Sequence, residues 1–234
     1  MDTQKKRHEA TLEFEKVKMV LIDSANKQEV REMLRYTKKG ADGLFKYLVQ
    51  FQSPVDIRGT ALLTWQQKGR EDDQWLYLPA LGAKLKRIAG GGKKGYFMGT
   101  DFAYEDLRDE KLDDHAYQVL NEEPIEGHPC YVIEALPANE EEKRSSGYAK
   151  RHFWITKDTY VTLKVDYYDQ SLKLMKTATS YDVKPVKDQM MRAGKVLMKH
   201  HQNKHQTLSG TLERKINEPI DDSTFTERSV LNFK

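Results

Sequence analysis

A few histidines, one cysteine, a glycine run and an acidic cluster are the residues of this chain that could do chemistry. His200, His201 and His205 lie close enough in sequence to suggest a metal site. Their surroundings read as a strand and its turn, because Val196, Met198 and His200 alternate with Lys195, Lys199 and His201. On an extended strand His201 and His205 are about 13 Å apart and His200 faces away from His201. The three are therefore expected in structural or solvent-facing roles, and no metal is expected. Gly90 to Gly95 (GGGKKG) resembles a phosphate cradle but lacks the G-K-[ST] ending and the strand-to-helix context. It reads as a hairpin loop whose Lys93 and Lys94 are left to meet lipid headgroups or a partner. Cys130 follows Pro129 in an apolar run, and His128 shares its side of a strand about 6–7 Å away, too far for the base that a nucleophile needs. A buried structural thiol is expected. Asp101, Glu105, Asp106, Asp109 and Glu110 offer paired carboxylates for acid–base work, but on a helix they read as a solvated face. No serine nucleophile elbow, H-E-x-x-H or dinucleotide fingerprint occurs, so neither an enzyme nor a cofactor is expected.

The elements that must position these groups are mostly short strands. Phe45, Tyr47, Val49 and Phe51 alternate with Lys46, Leu48 and Gln50, and Val161, Leu163, Val165 and Tyr167 alternate with Thr162, Lys164 and Asp166. Leu12–Ile22 switches parity at Val17 like a bulged strand, although Ala10, Phe14, Val17 and Leu21 also fit a helical stripe. Val30–Tyr36 is ambiguous in the same way. Asp101–Asp114 is the best helix candidate, with Asp101 as its cap, and a short helix is expected after Asp221. Val186–His200 and Thr207–Ile216 read as a last long pair. About ten or eleven strands and a few short helices, with no strand–helix–strand alternation, make the chain mainly β and antiparallel. The pattern fits an open barrel and a sandwich equally. Residues 1–10 are charged and expected to be disordered or foreign to the native chain, and 11–234 to form one β domain.

Composition narrows the partners. Basic and acidic residues number 39 and 36, for a net charge of +3, and both signs are interleaved throughout, which argues against nucleic acid. One cysteine excludes an intrachain disulfide and a cysteine zinc cluster. No apolar run approaches the ~18–20 residues of a membrane-spanning helix.

The most aromatic stretch is Pro54–Leu107, with Trp65, Trp75, Tyr77, Tyr96, Phe97, Phe102 and Tyr104. Its DQWLYLPALGAKLKRI and YFMGTDFAYEDL resemble the core signature of the LolA-like outer-membrane lipoprotein-sorting proteins of Gram-negative bacteria, often encoded beside RND-type exporters. GHPCYVIEALP, YYDQSLKLMKT and NEPIDDSTFT follow in the family's order, so the resemblance spans Pro54–Val230. It implies an unclosed, strongly curved antiparallel β-barrel with helices over its open side. It also implies a periplasmic protein whose native signal peptide has been replaced by Met1. The expected function is a carrier or chaperone that binds lipid or lipoprotein acyl chains in an apolar concave cavity, for lipoprotein sorting or lipid transfer. Trp65, Trp75, Tyr77, Phe97, Met98, Phe102, Tyr104 and Trp154 are the expected lining. Partners would be an RND-type inner-membrane exporter or an outer-membrane acceptor, with the protein a monomer. The alternative is a protein-interaction module, a sensor or exporter accessory subunit without lipid cargo, in which the aromatics are closed core.

Overall fold

Period-two alternation becomes strands throughout the computed structural model, which describes residues 1–79, 85–88, 92–109 and 111–231. In chain order these are α1 (Asp2–His8), β1 (Leu12–Ile22), β2 (Gln28–Lys39), β3 (Phe45–Ser53), β4 (Ala61–Trp65), β5 (Asp73–Tyr77), β6 (Leu85–Ile88), β7 (His115–Ile125), β8 (His128–Pro137) and α2 (Glu140–Ser145). They continue with β9 (Lys150–Thr156), β10 (Thr162–Tyr168), β11 (Leu174–Tyr181), β12 (Lys184–Lys187), β13 (Met190–Arg192), β14 (Lys195–His200), β15 (Gln206–Ile216) and α3 (Glu227–Leu231). Thirteen strands form one sheet in the order β6-β5-β4-β3-β2-β1-β15-β14-β11-β10-β9-β8-β7. β6 and β7 end the order, so the sheet is not closed. The mainly β, antiparallel, unclosed architecture is the expected one, with more strands than the expected ten or eleven. Part of the excess is the stretch read as a single strand from Val186. It splits at Asp188, whose φ of 49° turns the chain, so β12 and β13 pair with each other as a separate hairpin.

The chain forms two compact units. In the unit of Ala10–Val20, Glu29–Gly90 and Gly210–Lys234, strand register sets Tyr36 beside Leu48, Leu48 beside Leu63 and Leu63 beside Trp75. Ala61 and Tyr77 stand on the same face, while Leu62 and Leu76 pair on the opposite one. The chain's own C-terminal segment covers the tryptophan face. Asp221 caps a 3-10 turn, Asp222–Phe225, by accepting from Ser223 N (2.7 Å). Phe225 and the Val230 of α3 are fully buried in this cluster. A five-residue helix is far below the ~12–15 residues that stand alone in water, so packing holds α3 in place. Trp65 meets Trp75 edge-on at 4.9 Å, and its Nε1 donates to the Phe225 carbonyl at 2.9 Å.

In the unit of Met1–Glu9, Leu21–Gln28 and Gly91–Ser209, Ile133, Phe153, Val165, Ala178 and Met198 stand side by side across β8, β9, β10, β11 and β14. This row is the middle of a buried apolar cluster that includes Tyr148 and Tyr167. The other face of these strands is a polar ladder in which Glu134, His152, Asp166 and Thr177 are successive neighbours. Residues 2–8, expected to be unstructured, form α1. Gln4 Nε2 donates to Thr162 Oγ1 (2.6 Å), and the His8 ring bonds the Thr159 carbonyl (2.8 Å) and accepts from Met191 N (3.2 Å).

Phe225→Ala is expected to cost about 3–5 kcal/mol, and Val55→Ala, at an 89% exposed turn position, less than about 0.5 kcal/mol. Urea denaturation of the two variants checks this.

Candidate functional site

The segment YFMGTDFAYEDL is folded by its own backbone. Tyr96 bridges Ala103, Phe97 N donates to Phe102 O (2.8 Å) and Tyr104 N to Gly95 O (3.0 Å). Met98 and Gly99 turn the tip with φ of 50° and 76°, a region that glycine enters without strain. The helix expected over Asp101–Asp114 does not form; 3-10 turns at Tyr104–Leu107 and Leu112–Asp114 stand there instead. The reason is local. The Asp106 carboxylate reaches back to Ala103 N (2.7 Å), and such side-chain-to-backbone bonds compete with a continuous helix.

Nor do Asp101, Glu105 and Asp106 form a solvated face; Asp109 is exposed, and Glu110 lies outside the described residues. Asp101 is 2% exposed; its Oδ2 accepts from Thr207 Oγ1 (2.7 Å) and pairs with His205 Nδ1 (2.8 Å), and its amide donates to Thr207 Oγ1 (3.0 Å). Asp106 accepts from the Tyr148 hydroxyl (2.8 Å) and from Lys176 Nζ (2.6 Å), which also donates to the Asp101 carbonyl (2.9 Å). Lys176 is wholly buried, with the rings of Tyr96, Tyr148 and Tyr167 5.1–5.4 Å from its ammonium. A buried ammonium costs several kcal/mol unless paired; here a carboxylate, a carbonyl and three aromatic faces replace water. Burial and the adjacent Asp106 push the Tyr148 phenol well above its ordinary range. Glu105 accepts from Ser146 Oγ (2.8 Å) and Gly147 N (2.8 Å), yet burial and Asp106 still raise its carboxyl above the usual value. The whole arrangement latches the segment onto the sheet, and Phe102 packs against the apolar row beneath.

The expected lining residues fall into separate groups. Trp65, Trp75 and Tyr77 share the cluster closed by Phe225. Phe97 is fully buried and meets Tyr104 edge-on at 5.7 Å, while Met98 is half-buried at the turn. Phe102 faces the Ile133–Phe153–Val165 row, whereas Trp154 points to the other side of the same strands, against Cys130 and Val132. No single hollow can take both Phe102 and Trp154. Of the other candidates, Cys130 is buried, its Sγ donates to the His128 carbonyl (3.2 Å), and burial raises its thiol pKa. His200 meets the Tyr96 hydroxyl (2.8 Å), exposed His201 meets the Thr177 hydroxyl (2.8 Å), and His205 pairs with Asp101. Among the described residues no group of three His, Cys, Asp or Glu is placed to hold a metal ion. Gly90 and Gly91 lie outside the described residues, and Lys93 is committed to Glu142 (3.0 Å) on α2. The residue missed from the sequence is Lys176. Its signal was parity: it falls on the same side of its strand as Ala178, a cation on an apolar face awaiting acids.

A model of a protein family described as "Uncharacterized protein" matches residues 43–232. The solved structure described as an outer membrane lipoprotein-sorting protein domain from Vibrio parahaemolyticus is 31% identical, covering 98% of this chain and 96% of its own, with a TM-score of 0.91. The chain belongs to the LolA-like family of outer-membrane lipoprotein-sorting proteins. The family's fold recurs in a DUF1329 family protein from Desulfovibrio piger (24% identity, 98% and 95% coverage, TM-score 0.91). It recurs again in a LolA superfamily protein from Nitrosomonas europaea (19% identity, 97% and 94% coverage, TM-score 0.75). None of the curated proteins matches the chain.

Two expectations follow from the latch. Lys176→Met leaves Asp106 buried without its cation and should cost about 3–5 kcal/mol, while Lys176→Met with Asp106→Asn should recover part of that loss; a double-mutant cycle by denaturant melts reads both. Glu105, with its raised native pKa, makes a contribution fully present below the unfolded-state value and lost as pH rises through the native one. The stability of Glu105→Gln relative to wild type should therefore climb from acid toward neutral pH and then level off. A flat difference would show that the carboxyl ionises natively as it does in the unfolded chain.

Proposed function

We propose that the protein is an envelope carrier that shields the acyl chains of a lipid or lipoprotein, working in the periplasm. The supporting observation is the apolar row Ile133–Phe153–Val165–Ala178–Met198, five strands wide, under a family-signature segment held down by a polar latch. The acyl chains would lie between this row and the segment, with Phe102, Phe97 and Met98 moving with the cover. About ten buried methylenes gain roughly 8 kcal/mol, set against about 3–5 kcal/mol for the broken ion pair and the cost of the segment's other contacts. Trp65, Trp75 and Tyr77 are better read as closed core, because the chain's own Phe225 and Val230 already occupy their face. Family membership supports the carrier reading, since the Vibrio relative is described as a lipoprotein-sorting domain. An exporter or outer-membrane acceptor would exchange cargo by offering a competing apolar surface.

The wild type is expected to bind a fluorescent fatty-acyl probe, and organic extracts of the expressed protein to contain lipid by mass spectrometry. Phe102→Ala should weaken the probe about tenfold or more, the burial of one large apolar side chain. Trp75→Ala should leave the probe's affinity unchanged. Absence of probe and of lipid would overturn the carrier and favour the interaction module, with the same row as sealed core. Loss of binding in Trp75→Ala with none in Phe102→Ala would move the site to the tryptophan face.

A further inference from the structure

We propose that the face built by α1 and the β12–β13 hairpin docks on the anionic surface of a phospholipid bilayer. Among the described residues the hairpin pairs only with itself, and α1 packs against β13 through the Met191 N–His8 Nδ1 bond. Lys184 stands directly opposite Arg192 in its register. Lys5 and Lys6, in the last turn of α1, and Lys184 and Lys187, on β12, are exposed; among the described residues none of these four has an ion pair. Burial, with the nearby charges of Arg192 and Arg7, holds the His8 imidazole below its ordinary value. The acids of this face are Asp2, Glu9, Asp158 and Asp188, since Asp182 pairs with Lys195 (2.8 Å). In a chain whose charges are otherwise interleaved, this is a local basic excess.

Lysines on flexible stems suit a diffuse layer of headgroup phosphates, while planar bidentate recognition would call for arginine. The choice of a bilayer over an acidic protein rests on the carrier reading, because acyl cargo is loaded and delivered at membranes. Each lysine near an anionic bilayer is worth about a fivefold change in partitioning.

The test is sedimentation of the full chain with vesicles of phosphatidylcholine alone or mixed with phosphatidylglycerol. Wild type should bind only the mixed vesicles and release as salt rises. Lys184→Glu with Lys187→Glu should weaken that binding about 25-fold or more while leaving fatty-acyl probe binding intact; Lys184→Gln with Lys187→Gln controls for the reversed charge and should show a smaller loss. Equal binding to both vesicle types, or mixed-vesicle binding unchanged in both variants, would overturn the proposal. So would capture by polyglutamate without capture by mixed vesicles, which assigns the face to an acidic protein. Vesicle binding that survives when no acyl probe binds would sink the carrier reading and leave this face standing.

Discussion

The buried ammonium of Lys176 is the constraint on which the unit containing β8–β14 depends. Removed from water, it must be met by charge, and the charge comes from a segment 70 residues earlier in the chain, at Asp106. That requirement fixes where the signature segment lies, and the segment in turn brings Phe102 onto the apolar row and Asp101 onto Thr207 and His205. An apolar pair of similar shape would give comparable stability. An ionic one favours a single seating for the segment, because the buried ammonium is satisfied only where Asp106 and the Asp101 carbonyl meet it.

The two apolar faces are closed in different ways. Over Trp65 and Trp75 lies the chain's own C-terminal segment, joined through aromatic packing and one indole–carbonyl bond. Over Ile133, Phe153 and Val165 lies a loop fastened by ions and hydroxyls. Dispersion packing resists gradual displacement, whereas an ion pair is lost or kept as a unit. The tryptophan face is thus closed by apolar packing and the other largely by polar contacts.

Strand alternation made most of the sheet legible from the residues alone. β3 and β10 are read directly from Phe45–Phe51 and Val161–Tyr167, and the signature motifs identified the family before any contact was known. What stayed hidden is what alternation does not encode. The acids at Asp101–Glu105–Asp106 look helical and solvated until their partners Thr207, Ser146 and Lys176 are known, and those lie 106, 41 and 70 residues away in sequence. The single strand expected from Val186 fails because a positive φ at Asp188 leaves no mark on hydrophobic periodicity. The aromatic residues are dense in sequence but divide among separate clusters, since density along the chain does not say which face of which strand each ring takes.

Trp65 and Trp75 make edge-on contact, and the hydrogen bond from one of them reaches the Phe225 carbonyl. Two indoles in such proximity couple their electronic transitions, and a carbonyl acceptor shifts the emission of the one that donates to it. The C-terminal segment therefore carries an intrinsic optical reporter. Its undocking would register in near-ultraviolet dichroism and emission wavelength without any added dye, and separately from Trp154, which lies on the other unit against Cys130.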